Sequence, residues 1–198
     1  MRQLKPDHLL LNSAQCHNEQ DQDPETTLDF TIQRLKKGND LSEIAKLVRA
    51  FIFDDLKGLE ALSALRLEPE SFVTDTMSHI DRYLPPDGCL LAANDRSGEH
   101  KGCVFLRTLS PDVGEIKRLY VHPDLRGTGA GSKLMHQIAD EARQLGLRTL
   151  VLDVGKYATA AQALYRKLGY REISVYPGGE TDPAITPHLT FMQLDLAP

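Results

Sequence analysis

From Arg126 to Ser132 the chain reads Arg-Gly-Thr-Gly-Ala-Gly-Ser, and directly after it Leu134, Ile138, Ala142 and Leu145 recur at three- and four-residue spacing. The second pattern is one face of a helix, so the first is a glycine-rich loop opening that helix. Such a junction has a definite chemistry. A helix start leaves backbone N–H groups without partners. Glycine lacks the Cβ that would hold an anion at a distance. The helix dipole adds about 0.3–1 kcal/mol for each nearby negative group. Together these make a cradle for a phosphate or diphosphate. A nucleotide loop of the Gly-x4-Gly-Lys-Ser/Thr type needs a triplet that is missing here. A dinucleotide fingerprint G-x-G-x-x-G begun at Gly127 needs glycine where Ser132 stands, and begun at Gly129 needs it where Leu134 stands.

The loop must be presented by the elements beside it. Upstream, Glu115 to Val121 carries Ile116, Leu119, Tyr120 and Val121 in a strand-like run, and His122-Pro123-Asp124 stops it. Its apolar positions slip out of alternation, as a β-bulge would require. Earlier, Leu28–Leu35 reads as a strand, and Asn39 or Asp40 as the cap of a helix over about Leu41–Phe53. Asp54 and Asp55 then fall at that helix's C-terminal end. Residues 56–69 read as a short helix or a lid-like loop, and a second helix runs from Pro69 or Glu70 to about Tyr83. A hairpin follows, Cys89–Ala93 with Gly102–Leu109. Past the glycine loop and its helix come a strand Thr149–Val154, a helix Ala158–Leu168, a strand Glu172–Tyr176, a loop over 177–187 and a closing strand Leu189–Leu196. The order βααβββαβαββ implies a mixed α/β sheet.

Bulk properties narrow the function. The 198 residues are enough for one domain with a full core, with residues 1–27 (rich in Gln, Asn, Asp and His) as a flexible extension and 28–198 as the domain. A net charge of −5 argues against nucleic acid as the main partner and suits a cationic one such as an amine. Cys16, Cys89 and Cys103 are odd in number and form no C-x-x-C pair, so neither a zinc site nor a disulfide framework is expected. Reduced thiols point to the cytoplasm. No apolar run is long enough for a membrane span, and the first residues lack a signal-peptide core. Cys103, in an apolar strand, reads as a core residue.

Arg126-x-x-Gly129-x-Gly131 resembles the Q/R-x-x-G-x-G/A signature of the GNAT superfamily of acyl-CoA-dependent N-acyltransferases. A second stretch, Ala161-x-x-Leu164-Tyr165-x-x-x-Gly169-Tyr170, is similar to that family's A-x-x-L-Y-x-x-x-G-F segment and lies at the expected distance. The resemblance implies an α/β fold with a mixed, mostly antiparallel central sheet, splayed parallel strands and flanking helices. It implies acetyl-CoA as co-substrate, held by Arg126, Gly127, Thr128, Gly129, Ala130, Gly131 and Ser132 at the diphosphate, with Lys133 adding charge. Leu119, Tyr120 and Val121 would meet the pantetheine arm and the oxyanion, Leu119 and Val121 through their free amides. One departure stands out: the family often carries Asn where this chain has Ala158, so a polar contact to the cofactor arm is missing or is supplied by Tyr157 or Thr159.

Direct acyl transfer to an amine sets two further demands. A primary amine has a pKa near 10.4 and must shed a proton, and a carboxylate can take it. Glu115, before the bulge, is the leading candidate, with Asp54, Asp55 and Asp153 behind it. The departing thiolate, of pKa about 8.5, needs a proton, and the phenol of Tyr165 can give one. No metal is expected, nor a nucleophilic Cys or Ser. The expected acceptor is a small or amino-acid-like amine. A protein lysine or N-terminus, or a non-catalytic acyl-CoA sensor, are the alternatives, and the sequence leaves a homodimer open.

Overall fold

The computed structural model describes residues 30–63, 65–179 and 181–196; the extension expected over 1–27 lies outside them. In chain order the elements are β1 (Phe30–Leu35), α1 (Ser42–Ser63), α2 (Pro69–Ser78), β2 (Gly88–Asp95), β3 (His100–Ser110), β4 (Val113–Val121), α3 (Ala130–Gln144), β5 (Thr149–Gly155), α4 (Thr159–Lys167), β6 (Arg171–Ile173) and β7 (Leu189–Asp195). The strands form one sheet in the order β1-β2-β3-β4-β5-β7-β6. Only β4 and β5 pair in parallel; every other neighbouring pair is antiparallel.

The sheet is buried on both faces because its central strands alternate between two cores. Cys89, Leu91, Ala93, Val104 and Leu106 face α3, where Leu134, Met135, Ile138 and Ala142 supply the opposing stripe. Leu90, Ala92, Cys103 and Phe105 face α1, which contributes Ile44, Leu47, Val48 and Ile52. Each fully buried Leu or Ile stabilises such a core by about 1.5–3 kcal/mol. These continuous apolar runs are what a strand covered on both sides requires. Cys89 and Cys103 are buried and unbridged, and burial pushes both thiols up to about 12. Neither is a nucleophile at neutral pH.

Two helices differ from their expected extents, and the first difference bears on the site. α1 continues through Asp54 and Asp55 to Ser63 instead of ending at Phe53. Leu56 and Leu59 keep the helical stripe going, and Gly58 is no break because the Tyr157 ring lies flat against it: a Cβ there would come within 2.4 Å of that ring. The two aspartates therefore sit mid-helix, where their peptide groups are hydrogen-bonded and their side chains are held in register. α2 also stops earlier than expected, and Ile80–Tyr83 tightens into a 3-10 turn.

Candidate functional site

β4 and β5 are paired only from Val113/Thr149 to Ile116/Leu152. Beyond that β5 follows β7 as far as Gly155, while β4 stays with β3 as far as Val121. From Lys117 to Val121, β4 has an edge that no described strand covers. The His122 N–H turns the other way, to the Lys101 carbonyl at 2.7 Å. Strand alternation then directs the peptide groups of Val121 and Leu119 into the opening. The bulge read from the sequence is present. The β3–β4 register shifts between Cys103 and Phe105, where two β4 residues, Arg118 and Leu119, oppose Val104 alone. Arg118 sits at φ 54°, and it is the one non-glycine residue at positive φ among those described.

The glycine loop lies at one end of this opening. Gly127 and Gly129 adopt φ 81° and 86°, a region other residues enter at a cost of about 1–2 kcal/mol. Gly129 caps α3 without a side-chain bond. The first amide of the helix to reach back into the chain is that of Lys133, which donates to Gly129 O at 3.0 Å. The amides of Ala130, Gly131 and Ser132 precede it and emerge from the helix end. Arg126 is pinned beside them: its Nε donates to Val121 O at 3.0 Å, and its Nη2 lies 3.7 Å from Asp54. The Thr128 hydroxyl is turned inward to Leu125 O.

The opening itself is a crevice of about 100 Å³, lined by Ile116, Leu119, Val154, Gly155, Ala158, Ala161 and Tyr165, with Asp55, Arg118 and Asp153 at its polar end. Tyr165 is buried. Its phenol is pushed upward first by burial and then by the charges of Asp153 and Asp55, so it keeps its proton at neutral pH. The crevice leads into a second cavity of about 420 Å³ between α1, α2, β4, β5 and the 181–189 segment. Phe51, Asp55, Lys117, Arg118, Asp153 and Leu189 line both.

The carboxylates divide sharply. Glu115, expected to be the base, lines neither cavity. It is fully buried, ion-paired with Arg107 and with Lys117 at 3.1 Å, and it accepts from the Tyr176 hydroxyl at 2.8 Å. Packed this way it has no opening toward an acceptor; it is a counter-ion inside the sheet. The reason is alternation: Glu115 points to the face that the chain after β6 covers with Tyr176 and Gly179. Asp153 accepts from Lys117 at 2.8 Å and from Thr181 at 2.9 Å. Burial works against its charge, but Lys117, Thr181 and Arg118 together outweigh burial and hold it below the ordinary carboxylate range. Asp55 behaves oppositely. Burial pushes it up, and the Tyr157 hydroxyl and Arg118 offset only part of that. Tyr157, two residues after β5, is wedged between Gly58 and Gly155, each of which would clash with it if it carried a Cβ. The residue that stands next to the departure at Ala158 thus serves to hold Asp55. His122 accepts from the Asp124 amide, as a turn residue does.

Sequence reasoning brought the glycine loop, the bulge and Tyr165 to one place. It missed Arg118 and Thr76, which come from separate segments and carry no spacing signal, and it named Tyr157 only as a contact to the cofactor arm. Among the described residues no group of three or more His, Cys, Asp or Glu side chains is positioned to hold a metal, and no helix is long and apolar enough to cross a membrane.

This arrangement coincides with a known family. Residues 58–170 match the model of the acetyltransferase (GNAT) family. The chain belongs to that family and is an acyl-CoA-dependent acetyltransferase. It is 26% identical to an N-acetyltransferase of Schizosaccharomyces pombe described as uncharacterized, over 85% of this chain and 96% of that one. It is 37% identical to the L-amino acid N-acyltransferase MnaT of Escherichia coli over 39% of this chain and 45% of that protein, so that match spans less than half of the enzyme. The fold matches a GNAT family acetyltransferase from Elizabethkingia anophelis solved with acetyl-CoA bound, at a TM-score of 0.54 and 21% identity, over 85% of this chain and 99% of that one.

Proposed function

We propose that the protein transfers the acetyl group of acetyl-CoA to the primary amine of a small, amino-acid-like acceptor by direct attack. The observation that carries this reading is the continuity of the site. The start of α3, where Gly131 lies beside Val121 and Leu164, an apolar crevice where β4 leaves β5, and a larger cavity that shares six lining residues with the crevice lie in succession. Diphosphate, pantetheine arm and acceptor need those three environments in that order. The amides of Ala130 to Ser132, with Arg126, suit the diphosphate. Val121 and Leu119 suit the arm in a strand-like mode, and an amide near Leu119 or Tyr120 suits the oxyanion. The solved relative with acetyl-CoA and the amino-acid acyltransferase support the choice of donor and acceptor.

Asp55 takes the role first expected of Glu115. Its raised pKa makes it a stronger base than an ordinary aspartate, and it lines both cavities. It accepts a proton from the acceptor's ammonium group. The nitrogen then attacks the thioester carbonyl, the C–N bond forms and the C–S bond breaks. Tyr165 delivers its proton to the leaving sulfur, the second proton that the attacking nitrogen sheds as the amide forms restores the phenol, and the proton held by Asp55 passes to solvent. The test is thiol release from acetyl-CoA by the purified protein across a panel of amines and L-amino acids. Turnover confined to small acceptors is the expected outcome; no turnover with any amine would leave an acyl-CoA-binding module, and turnover only with peptides would move the acceptor to proteins.

A further inference from the structure

The acceptor cavity holds a cation with no described task. Arg118 lines both the crevice and the larger cavity. Among the described residues no carboxylate lies within 4.0 Å of its guanidinium, whereas Lys117 beside it is engaged by both Glu115 and Asp153. The Arg118 side chain is nevertheless held firmly. Its Nε and Nη2 both donate to the Thr76 hydroxyl, at 3.3 and 2.8 Å, and its guanidinium carbon lies 5.5 Å from the centre of the Phe51 ring. Thr76 is itself buried. Thr76 occupies the side-on fork of the guanidinium, which leaves the end-on pair of N–H groups on Nη1 and Nη2. That pair matches the two oxygens of a carboxylate. The bulge turns the backbone at Arg118 to φ 54°, and in that conformation the residue lines the cavity.

We propose that Arg118 is the anchor for the acceptor's carboxylate, so that the enzyme selects α-amino acids or close analogues over simple amines. The proposal rests on the acetyltransferase reading above. It follows from the layout of charge: Asp55 and Asp153 suit the ammonium end of a zwitterion, and Arg118, in the same cavity, suits the other. The two charges of an α-amino acid are only a few bonds apart, and the Arg118 charge is near enough to Asp55 and Asp153 to act on both carboxylates. Arg118 is a specificity residue in this scheme and moves no proton.

The experiment uses the full chain, acetyl-CoA and the twenty common L-amino acids, followed by the methyl ester of the best acceptor. The ester keeps the amine and the side chain and loses only the carboxylate charge. Its amine also sheds a proton more easily, so a preference for the acid is won against that bias. The expected kcat/KM ratio of acid to ester is roughly 10- to 100-fold, the range of a charged hydrogen-bonded pair. In Arg118→Gln that ratio collapses toward one, through the KM of the amino acid, while the KM of acetyl-CoA moves little. Equal use of acid and ester by the unmodified protein overturns the proposal, and this comparison needs no variant to fold. A variant that slows acid and ester alike also overturns it. Thiol release with esters or simple amines but no carboxylate preference sinks Arg118's role and spares the acetyltransferase reading; no thiol release with any amine sinks both.

Discussion

The two ends of the crevice are built from different materials. At the glycine loop the groups proposed to bind are main-chain amides, and the residues that present them are contiguous from Arg126 to Ser132. At the proposed acceptor end the lining groups are side chains drawn from α1, α2, β4, β5 and the segment before β7. A backbone site needs only a loop of given shape, so its requirements are local: glycine at positive φ and a helix directly after. A side-chain site needs a rigid frame that brings distant residues together. Its requirements are tertiary, and they can be met by many residue combinations. The comparison teaches where mutational sensitivity should lie. Single side-chain changes should be severe at the acceptor end and mild at the loop.

The largest effect is expected at Asp55. Asp55→Asn keeps the size of the group and its contact with Tyr157 but removes the base, and kcat/KM should fall about 10³- to 10⁴-fold, at the upper end of general-base contributions. The pH profile carries the sign. A base must be unprotonated to act, and burial raises the Asp55 pKa. Activity in the unmodified protein should therefore fall as pH drops through a value above the ordinary aspartate range. That limb should vanish in the asparagine variant, leaving only the slope set by the acceptor's own amine. A limb that survives unchanged would return the base to another group, Asp153 first.

Glu115 sharpens the same contrast from the structural side. It stands one step from the crevice in sequence and outside it in space. Glu115→Ala leaves Arg107 and Lys117 without a shared buried counter-charge and Tyr176 without its acceptor. Removing one partner of a buried ion pair costs about 3–5 kcal/mol, and thermal or chemical denaturation should read a loss near the lower end of that range. The enzyme that remains folded should keep an acid limb like that of the unmodified protein, which a catalytic Glu115 would not allow.

The same division explains how much of the molecule is legible in its sequence. The order of elements and the two sequence segments around Gly129 and Tyr165 were legible, because periodicity, glycine spacing and a proline stop are local signals. The bulge was legible from a slip in alternation at Ile116–Val121, and it is there. Three things were not. α1 outran its expected end at Phe53 because Gly58 and the acidic pair look like a terminus; the Tyr157 ring that makes the glycine harmless is 99 residues away along the chain. Glu115 looked available because strand position was clear but facing was not: β4 is covered on that face by residues after β6, which carry no pattern. Arg118 was invisible as a ligand-binding residue since one arginine in a strand signals nothing until Thr76 and Phe51 are seen to hold it.

A smaller loss is expected at Tyr165. Tyr165→Phe keeps the ring against Tyr170, 5.7 Å away, and removes only the hydroxyl of a residue that lines the crevice. Turnover should drop about 30- to 100-fold, within the lower range of acid catalysis, with little change in the KM of acetyl-CoA. Thiol analogues of lower pKa leave without help, so the deficit should shrink with such donors. A deficit that stays constant across donors would mean that the hydroxyl orients the substrate and gives up no proton.

The smallest effect should come from the loop, and it is the sharpest test of the contrast. Arg126 is the arginine of the proposed diphosphate site, yet its guanidinium is exposed and already shared between Val121 O and Asp54. Binding a diphosphate would trade the Asp54 contact for a new one, so the net gain is limited to that of an exposed ion pair, at most about 1 kcal/mol. Arg126→Ala should therefore raise the KM of acetyl-CoA only about three- to fivefold. The difference between variant and unmodified protein should shrink as salt rises, since exposed charges are screened within about 8–10 Å at physiological strength. Kinetics at two ionic strengths would measure both quantities. A salt-independent loss of a hundredfold or more would mean that the arginine, and not the row of amides at the start of α3, supplies the grip, and the contrast between a backbone end and a side-chain end would fail at its simplest point.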